Sequence, residues 1–264
     1  MSQVIVVTSG KGGVGKTVFS ANIGLSLAKL GHKVVLLDAD IGLRNLDIAV
    51  GLENRVVYDL VDVLNKECSL ETALLRGKHS ENLFLLPASQ MRERESVSAE
   101  KLKDLCESLA EEFDYVIIDC PTGIDNGFKN AIQCADRAII LTVPETSAIR
   151  DADRVVGLLE NYGITDYALV INRIYPELTK NGVMPDVDNI ISKLNIDLLG
   201  VIPEDTDVII FSNKGEPVIL NSKSLAGFAI ENIAKRITGK NVPLTEFKKS
   251  AFRRKTKVKK SKKR

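Results

Sequence analysis

Seven short apolar runs punctuate the chain: Val4–Val7, Val34–Leu37, Leu83–Leu86, Tyr115–Ile118, Ala138–Val143, Ala168–Ile171 and Leu198–Ile202. They are continuous rather than alternating and rich in Val, Ile and Leu, the pattern of strands covered on both faces. Segments with helical periodicity lie between them: Thr17–Leu30, Ala99–Glu111, Thr146–Asn161, Val187–Leu194 and Ser224–Ile237. Strand and helix in alternation predict right-handed βαβ units. The expected fold class is therefore α/β, a doubly wound, mostly parallel sheet with helices on both faces. No repeat interrupts the pattern, and Gly239 and Pro243 mark its end. The expected organisation is one domain over residues 1–240 and a tail over 241–264.

Charge changes the picture at that boundary. Eleven of the 36 Lys/Arg residues and only one of the 35 acids, Glu246, fall between Leu244 and Arg264. An acidic body thus carries a basic arm, the composition of an interaction segment. Leu244, Phe247, Ala251 and Val258 share one side of a helical wheel with Phe252 beside them, so the arm is also weakly amphipathic. The 264 residues contain no Trp and only 5% aromatic residues, which argues against stacking platforms for single-stranded nucleic acid. Cys68, Cys106, Cys120 and Cys134 form no CxxC pair and have no nearby His at ligand spacing. That argues against zinc or an iron–sulfur cluster held within one chain and predicts reduced thiols. The start, MSQVIVVTSG, runs straight into a strand without a basic, apolar and cleavable leader, and no segment approaches the ~20 apolar residues of a membrane span. The expected location is the cytoplasm.

The chemistry concentrates first at Gly10-Lys-Gly-Gly-Val-Gly-Lys-Thr17, which fits GxxxxGK[ST] between a strand and a helix. Gly10, Gly12, Gly13 and Gly15 let the backbone close around phosphate oxygens with its N–H groups, those of Lys11, Val14 and Val18 among them, turned inward. The following helix adds its positive dipole end. Lys16 reaches β- and γ-phosphates, and the Thr17 hydroxyl faces Mg²⁺. The cofactors expected from the motif are ATP and Mg²⁺.

Three acids follow apolar strands: Asp38 and Asp40 in VVLLDAD, and Asp119 at the end of YVIID. In doubly wound sheets ligands collect beyond the carboxyl ends of strands. Asp119 is expected to hold Mg²⁺ directly or through water, Asp40 to orient the attacking water, and Asp38 to support Mg²⁺ or the loop. A single acid after a strand is often just a helix cap; three in register with a phosphate loop are harder to read that way.

Lys11 has no obvious role within one ordinary phosphate loop. KGGVGKT resembles the deviant Walker A motif of the MinD/ParA family. DADIGLRNLDIAVGLENRVVYDLVDVL, ENLFLLPASQMRERE, DCPTGID, RDADRVVGLL and GVIPEDTDVIIFSNKGEPVI are similar to its septum-site-determining MinD branch, with GLRNLD the most specific element. The resemblance covers essentially the whole folded domain. It implies an ATPase that forms a nucleotide-sandwich homodimer, with Lys11 reaching the partner's phosphates like an arginine finger. It implies a switch I-like loop at Gly42–Asp47 with Asn45 near the interface, and switch II at Asp119–Gly123. It further implies adenine contacts from Asn172 in VINR and from Pro203–Asp205 in VIPED; without it these are polar residues at strand ends. Val18 stands where the family commonly has a second Thr, which predicts a small loss of phosphate affinity.

For the tail, the resemblance implies an amphipathic segment that binds the inner face of an anionic membrane when two copies are held together. The implied partners are the division inhibitor MinC, met near Asp151 on the helix starting at Thr146, and MinE or another topological factor. The expected function is an ATP-driven dimerising switch that controls septum placement. The alternative is a ParA-like chromosome or plasmid partitioning ATPase that binds DNA non-specifically. Electron-transfer ATPases need cluster cysteines that this chain does not offer, and no segment reads as the acceptor pocket of a metabolic kinase.

Overall fold

The structure is a computed structural model that describes residues 2–92 and 97–244. Eight strands form one sheet: β1 (Gln3–Thr8), β2 (Val34–Asp38), β3 (Leu75–Arg76), β4 (Leu83–Leu86), β5 (Tyr115–Asp119), β6 (Arg137–Thr142), β7 (Tyr167–Ile174) and β8 (Leu198–Pro203). Their order is β3-β4-β2-β5-β1-β6-β7-β8, with β1 central. Every pairing is parallel except β3 with β4.

The helices are α1 (Lys16–Lys29), α2 (Leu46–Ala49), α3 (Leu60–Leu64), α4 (Leu70–Ala73), α5 (Ala99–Glu112), α6 (Asn126–Ile132), α7 (Thr146–Asn161), α8 (Pro176–Lys180), α9 (Val187–Leu194), α10 (Thr206–Ser212) and α11 (Leu225–Ile237). Side-chain alternation along each strand divides the core into two layers. On β1, Val4 and Val6 enter the layer covered by α5, α6, α7 and α9, whereas Ile5 and Val7 enter the layer covered by α1 and α11. This is the doubly wound, three-layer arrangement that the continuous apolar runs predict.

Local chemistry sets the helix ends. Ser98 caps α5 by accepting from the Lys101 amide, and α5 then buries Leu102, Leu105, Cys106 and Leu109, one face at i, i+3, i+4 and i+7. α1 is different: Phe19 through Ala28 are all buried, because the helix is pressed between the sheet and α11. A methyl group at Gly24 would meet Leu36 Cδ2 at 2.4 Å, so glycine there sets how closely α1 lies on β2. Burying a side chain such as Phe19 contributes about 1.5–3 kcal/mol, and this contact therefore holds the start of α1, and the loop before it, in place.

The small elements were not visible in the periodicity. β3 spans two residues, and α2, α3, α4, α6, α8 and α10 span four to seven. These are too short to show a period and rest on caps such as the reciprocal Asp59–Asp62 capping box. Phe247, Ala251, Phe252 and Val258, on which the amphipathic reading of the tail rests, lie outside the described residues, as do residues 93–95 of the MRERE segment and Ser96 after it.

Candidate functional site

The phosphate loop runs from the end of β1 into α1, at the carboxyl edge of the sheet and at its centre. Gly15 has φ of 98° and forms the first position of the α1 N-terminus, a left-handed conformation that strains any residue with a side chain. Gly10 is tight for another reason. A methyl group there would lie 2.2 Å from the Asp151 carbonyl oxygen, so the first loop glycine packs directly on the backbone of α7. Lys16 is buried at the start of α1, and no atom lies within 4 Å of a methyl group placed on Gly13. The loop is thus an open cradle with a buried lysine beneath it, as phosphate binding requires.

The three acids converge on this loop. Asp38 and Asp119 are Cα partners on adjacent strands β2 and β5. Both are fully buried, and Asp40 is nearly so. Asp119 Oδ1 accepts from Ser20 Oγ at 2.9 Å, and its carboxyl group is also hydrogen-bonded to Thr17. Burial nevertheless pushes the Asp119 pKa up to about 6, against the lowering effects of Thr17, Lys16 and Ser20. Asp38 is pushed well above the ordinary range, first by burial and then by the charge of Asp119. Its two oxygens accept from the amides of Asp40, at 3.0 Å, and Leu46, at 3.1 Å. Asp38 thereby anchors the loop that carries Asp40 and the GLRN sequence.

Crowded buried carboxylates that resist ionisation are a site short of positive charge. Among the described residues no cluster of three or more His, Cys, Asp or Glu forms a ready metal cage. Mg²⁺ needs none, since it keeps waters and binds through one or two protein oxygens plus phosphates. The donor set of Thr17 and Asp119 beside an open phosphate cradle fits that mode.

Lys11 does not point into its own cradle. Its Nζ lies 2.5 Å from Glu145 Oε2 and 3.2 Å from Ser147 Oγ, at the N-terminal end of α7. Asp151, the expected partner residue, is on the same helix, against Gly10. α7 therefore touches the loop at two points. In the loop between β2 and α2, Arg44 adopts a left-handed conformation with φ of 45°, and its Nε lies 2.9 Å from Asp47 Oδ2, a side chain that is essentially buried.

Asn172 and the VIPED segment meet at the neighbouring strand ends. Asn172 Nδ2 donates to the Val14 carbonyl at 2.8 Å and lies against Gly15, so it braces the loop from β7. The Glu204 amide donates to the Ile174 carbonyl, and Arg173 pairs with Glu204 at 3.7 Å. Pro203 ends β8. Asp205 is buried and caps both α10 and α11: one oxygen accepts from the Asp207 amide and the other from Ser224 Oγ and the Leu225 amide.

Sequence reasoning missed Ser20, Glu145 and Ser147. Ser20 had a signal, since it follows Thr17 by three positions on α1 and so faces the same strand end. Glu145 had none, because its approach to Lys11 depends on β6 lying beside β1.

A strand–GKGGVGKT–helix cradle with acids at the adjacent strand ends, on a sheet of this order, defines a P-loop NTPase. A family model described as ParA, NUBPL iron-transfer P-loop NTPase, matches residues 1–238. The septum site-determining protein MinD of Synechocystis sp. is 51% identical over 94% of this chain and 93% of its own length. The chain also resembles the MinC:MinD cell division protein complex structure from Aquifex aeolicus, at 46% identity, with a TM-score of 0.88 over 94% of this chain and 100% of that one. The MinD protein complexed with Mg-ADP from Pyrococcus horikoshii superposes with a TM-score of 0.82 at 29% identity, over 90% of this chain and 96% of that one. The chain belongs to the MinD/ParA family of P-loop NTPases, and its curated relatives are septum site-determining proteins.

Proposed function

We propose that this protein is an ATPase switch for septum placement: ATP binding drives homodimerisation, the dimer holds two weak tails on the inner face of the membrane and recruits the division inhibitor, and hydrolysis releases it. The observation that carries the reading is Lys11. It stands in the phosphate loop yet is turned away from its own cradle onto Glu145 and Ser147, as expected of a charge meant for a second copy. The reading treats residues 1–240 as the ATPase domain and 241–264 as the membrane arm.

ATP with Mg²⁺ supplies the scissile phosphoryl group and the charge that neutralises it. Lys16 and the loop amides hold the β- and γ-phosphates, while Thr17 and Asp119 face the metal. Asp40, held by Asp38, positions water for attack. Lys11 from the partner adds positive charge where it develops in the transition state. Asn172, Pro203 and Asp205 line the adenine side. The MinC:MinD complex of the Aquifex relative supports a MinC-like inhibitor as partner, and MinE or another topological factor would act at α7 beside Asp151.

The partitioning alternative shares the fold, and GLRNLD and the amphipathic arm argue against it. Iron transfer is disfavoured because Cys106 and Cys120 are buried and, although Cys106 is hydrogen-bonded to Cys134, no three His, Cys, Asp or Glu side chains among the described residues come together as a metal cage. The test is Lys11→Ala. The variant should bind Mg-ATP as tightly as the wild type but remain a monomer and lose stimulated hydrolysis. Normal dimerisation and turnover would remove Lys11 from the mechanism and take the switch reading with it.

A further inference from the structure

Beyond Lys240, the last described stretch of the chain is held at Val242 and Pro243 by one side chain, Arg236. α11 ends at Ile237, the Gly239 amide donates back to the Arg236 carbonyl, and Gly239 turns the chain with φ of 80°. Arg236, in the last turn, then uses every face of its guanidinium on main-chain carbonyls. Nε donates to Val242 at 2.8 Å, Nη2 to Pro243 at 2.6 Å and Nη1 to Leu199 at 2.9 Å. The first two lie on the segment leading to the basic tail, and the third lies on the edge strand β8.

Both sides of this arrangement are built for it. Leu169 pairs with Leu198 and Val170 with Gly200, so Leu199 is the extra residue of a bulge, and Arg236 takes up its carbonyl. A methyl group at Gly200 would stand 2.4 Å from Ile233 Cγ1 and 3.3 Å from Arg236 Nη1. Glycine at 200 thus lets α11 lie low enough on β8 for the fork to reach. The planar, multiply donating guanidinium is the side chain that can bridge three carbonyls at once.

We infer that Arg236 is a clamp that fixes the root of the C-terminal basic segment to the body of the domain, so that a dimer presents its two arms from set positions to one anionic lipid surface. This rests on the membrane reading of the tail given above. The physical argument is one of reach. With Val242 and Pro243 held, the arm starts at the edge of the sheet. With the clamp removed, Gly239 and Lys240 stay bonded to the last turn of α11, and the four residues from Asn241 to Leu244 add about 14 Å of slack. The effective concentration of the second arm over the surface falls as slack grows, roughly as the −3/2 power of length or more steeply. Arg236 acts through the arm and touches neither the phosphate cradle nor the strand-end acids.

The test compares the full-length wild type with Arg236→Ala and Arg236→Gln. The first readout is endoproteinase Lys-C cleavage after Lys240, followed by mass spectrometry, which leaves every lysine site intact in both variants. Loss of charge-assisted hydrogen bonds should raise the rate roughly tenfold or more, while Mg-ADP affinity stays unchanged. The second readout is sedimentation of the ATP-loaded protein with phosphatidylglycerol-containing vesicles, where the bound fraction should fall about two- to fivefold. Unchanged cleavage in the glutamine variant overturns the clamp. Faster cleavage with undiminished vesicle binding overturns its role in presenting the arms. If the wild type itself ignores vesicles, the membrane reading fails, and the Lys240 cleavage rates still decide whether Arg236 holds the root.

Discussion

Removing the tether on Lys11 should make the ATP dimer tighter. The Lys11–Glu145 pair is close, but the two side chains are 38% and 58% exposed, so it is a surface ion pair worth about 0.2–1 kcal/mol. A dimer in which each Lys11 crosses to the other subunit breaks two such pairs. Glu145→Ala should therefore strengthen dimerisation by about 0.4–2 kcal/mol, a factor of roughly 2 to 30. Sedimentation velocity in the Asp40→Ala background, where hydrolysis does not intervene, reads the dimer Kd directly. The gain should shrink in high salt and disappear when Lys11→Ala is combined with Glu145→Ala, because the cycle isolates the pair. Mg-ADP binding by the monomer should not change. A dimer that is unchanged or weakened by Glu145→Ala refutes the reasoning, since it would mean that the contact with α7 belongs to the working state.

Other parts of the site give sharper or opposite effects. Asp40→Ala should trap ATP in a persistent dimer seen by size-exclusion chromatography, because Thr17 and Asp119 remain to face Mg²⁺; a monomer that still hydrolyses ATP contradicts this. In nucleotide-free protein with EDTA, Asp119→Asn should raise the melting temperature at pH 8 by several degrees. The buried carboxylate, raised from 3.8 to about 6, costs the wild type up to about 3 kcal/mol once ionised. The sign follows from the raised value: the wild type recovers stability as pH falls through about 6, so the difference should be nearly gone by about pH 4. An equal difference at both pH values would refute it. Asp151→Ala should weaken recruitment of the MinC-like partner in a pull-down while basal ATPase persists; unchanged recruitment returns Asp151 to a solvated helix position.

Long elements were legible because their periodicity is strong. Leu83–Leu86, Thr146–Asn161 and Val187–Leu194 have the same bounds in sequence and structure, and the other long elements shift by a few residues at their ends. The phosphate loop and the strand-end acids were legible because strand, motif and helix are contiguous, and because strand ends collect ligands in this fold. What was hidden is pairing at a distance. Lys11 and Glu145 are separated by 134 residues and meet only because α7 follows a strand adjacent to β1. Asn172 meets Val14 across 158 residues for the same kind of reason. Arg236 looked like a basic residue in the last turn of a helix, and nothing local shows that it reaches back to a bulge in β8. Ser20 alone had a readable cue that went unused.

The central claim is that nucleotide state controls attachment to an anionic membrane through the basic arm. Its most direct test is co-sedimentation of the full-length protein with anionic vesicles, neutral vesicles and duplex DNA, each in ATP and in ADP at matched salt. The account predicts pelleting only with anionic vesicles and ATP, reduced by Phe247→Asp with Phe252→Asp and falling steeply with ionic strength. Preference of the ATP-loaded protein for DNA over anionic vesicles, or equal pelleting in ATP and ADP, would contradict it.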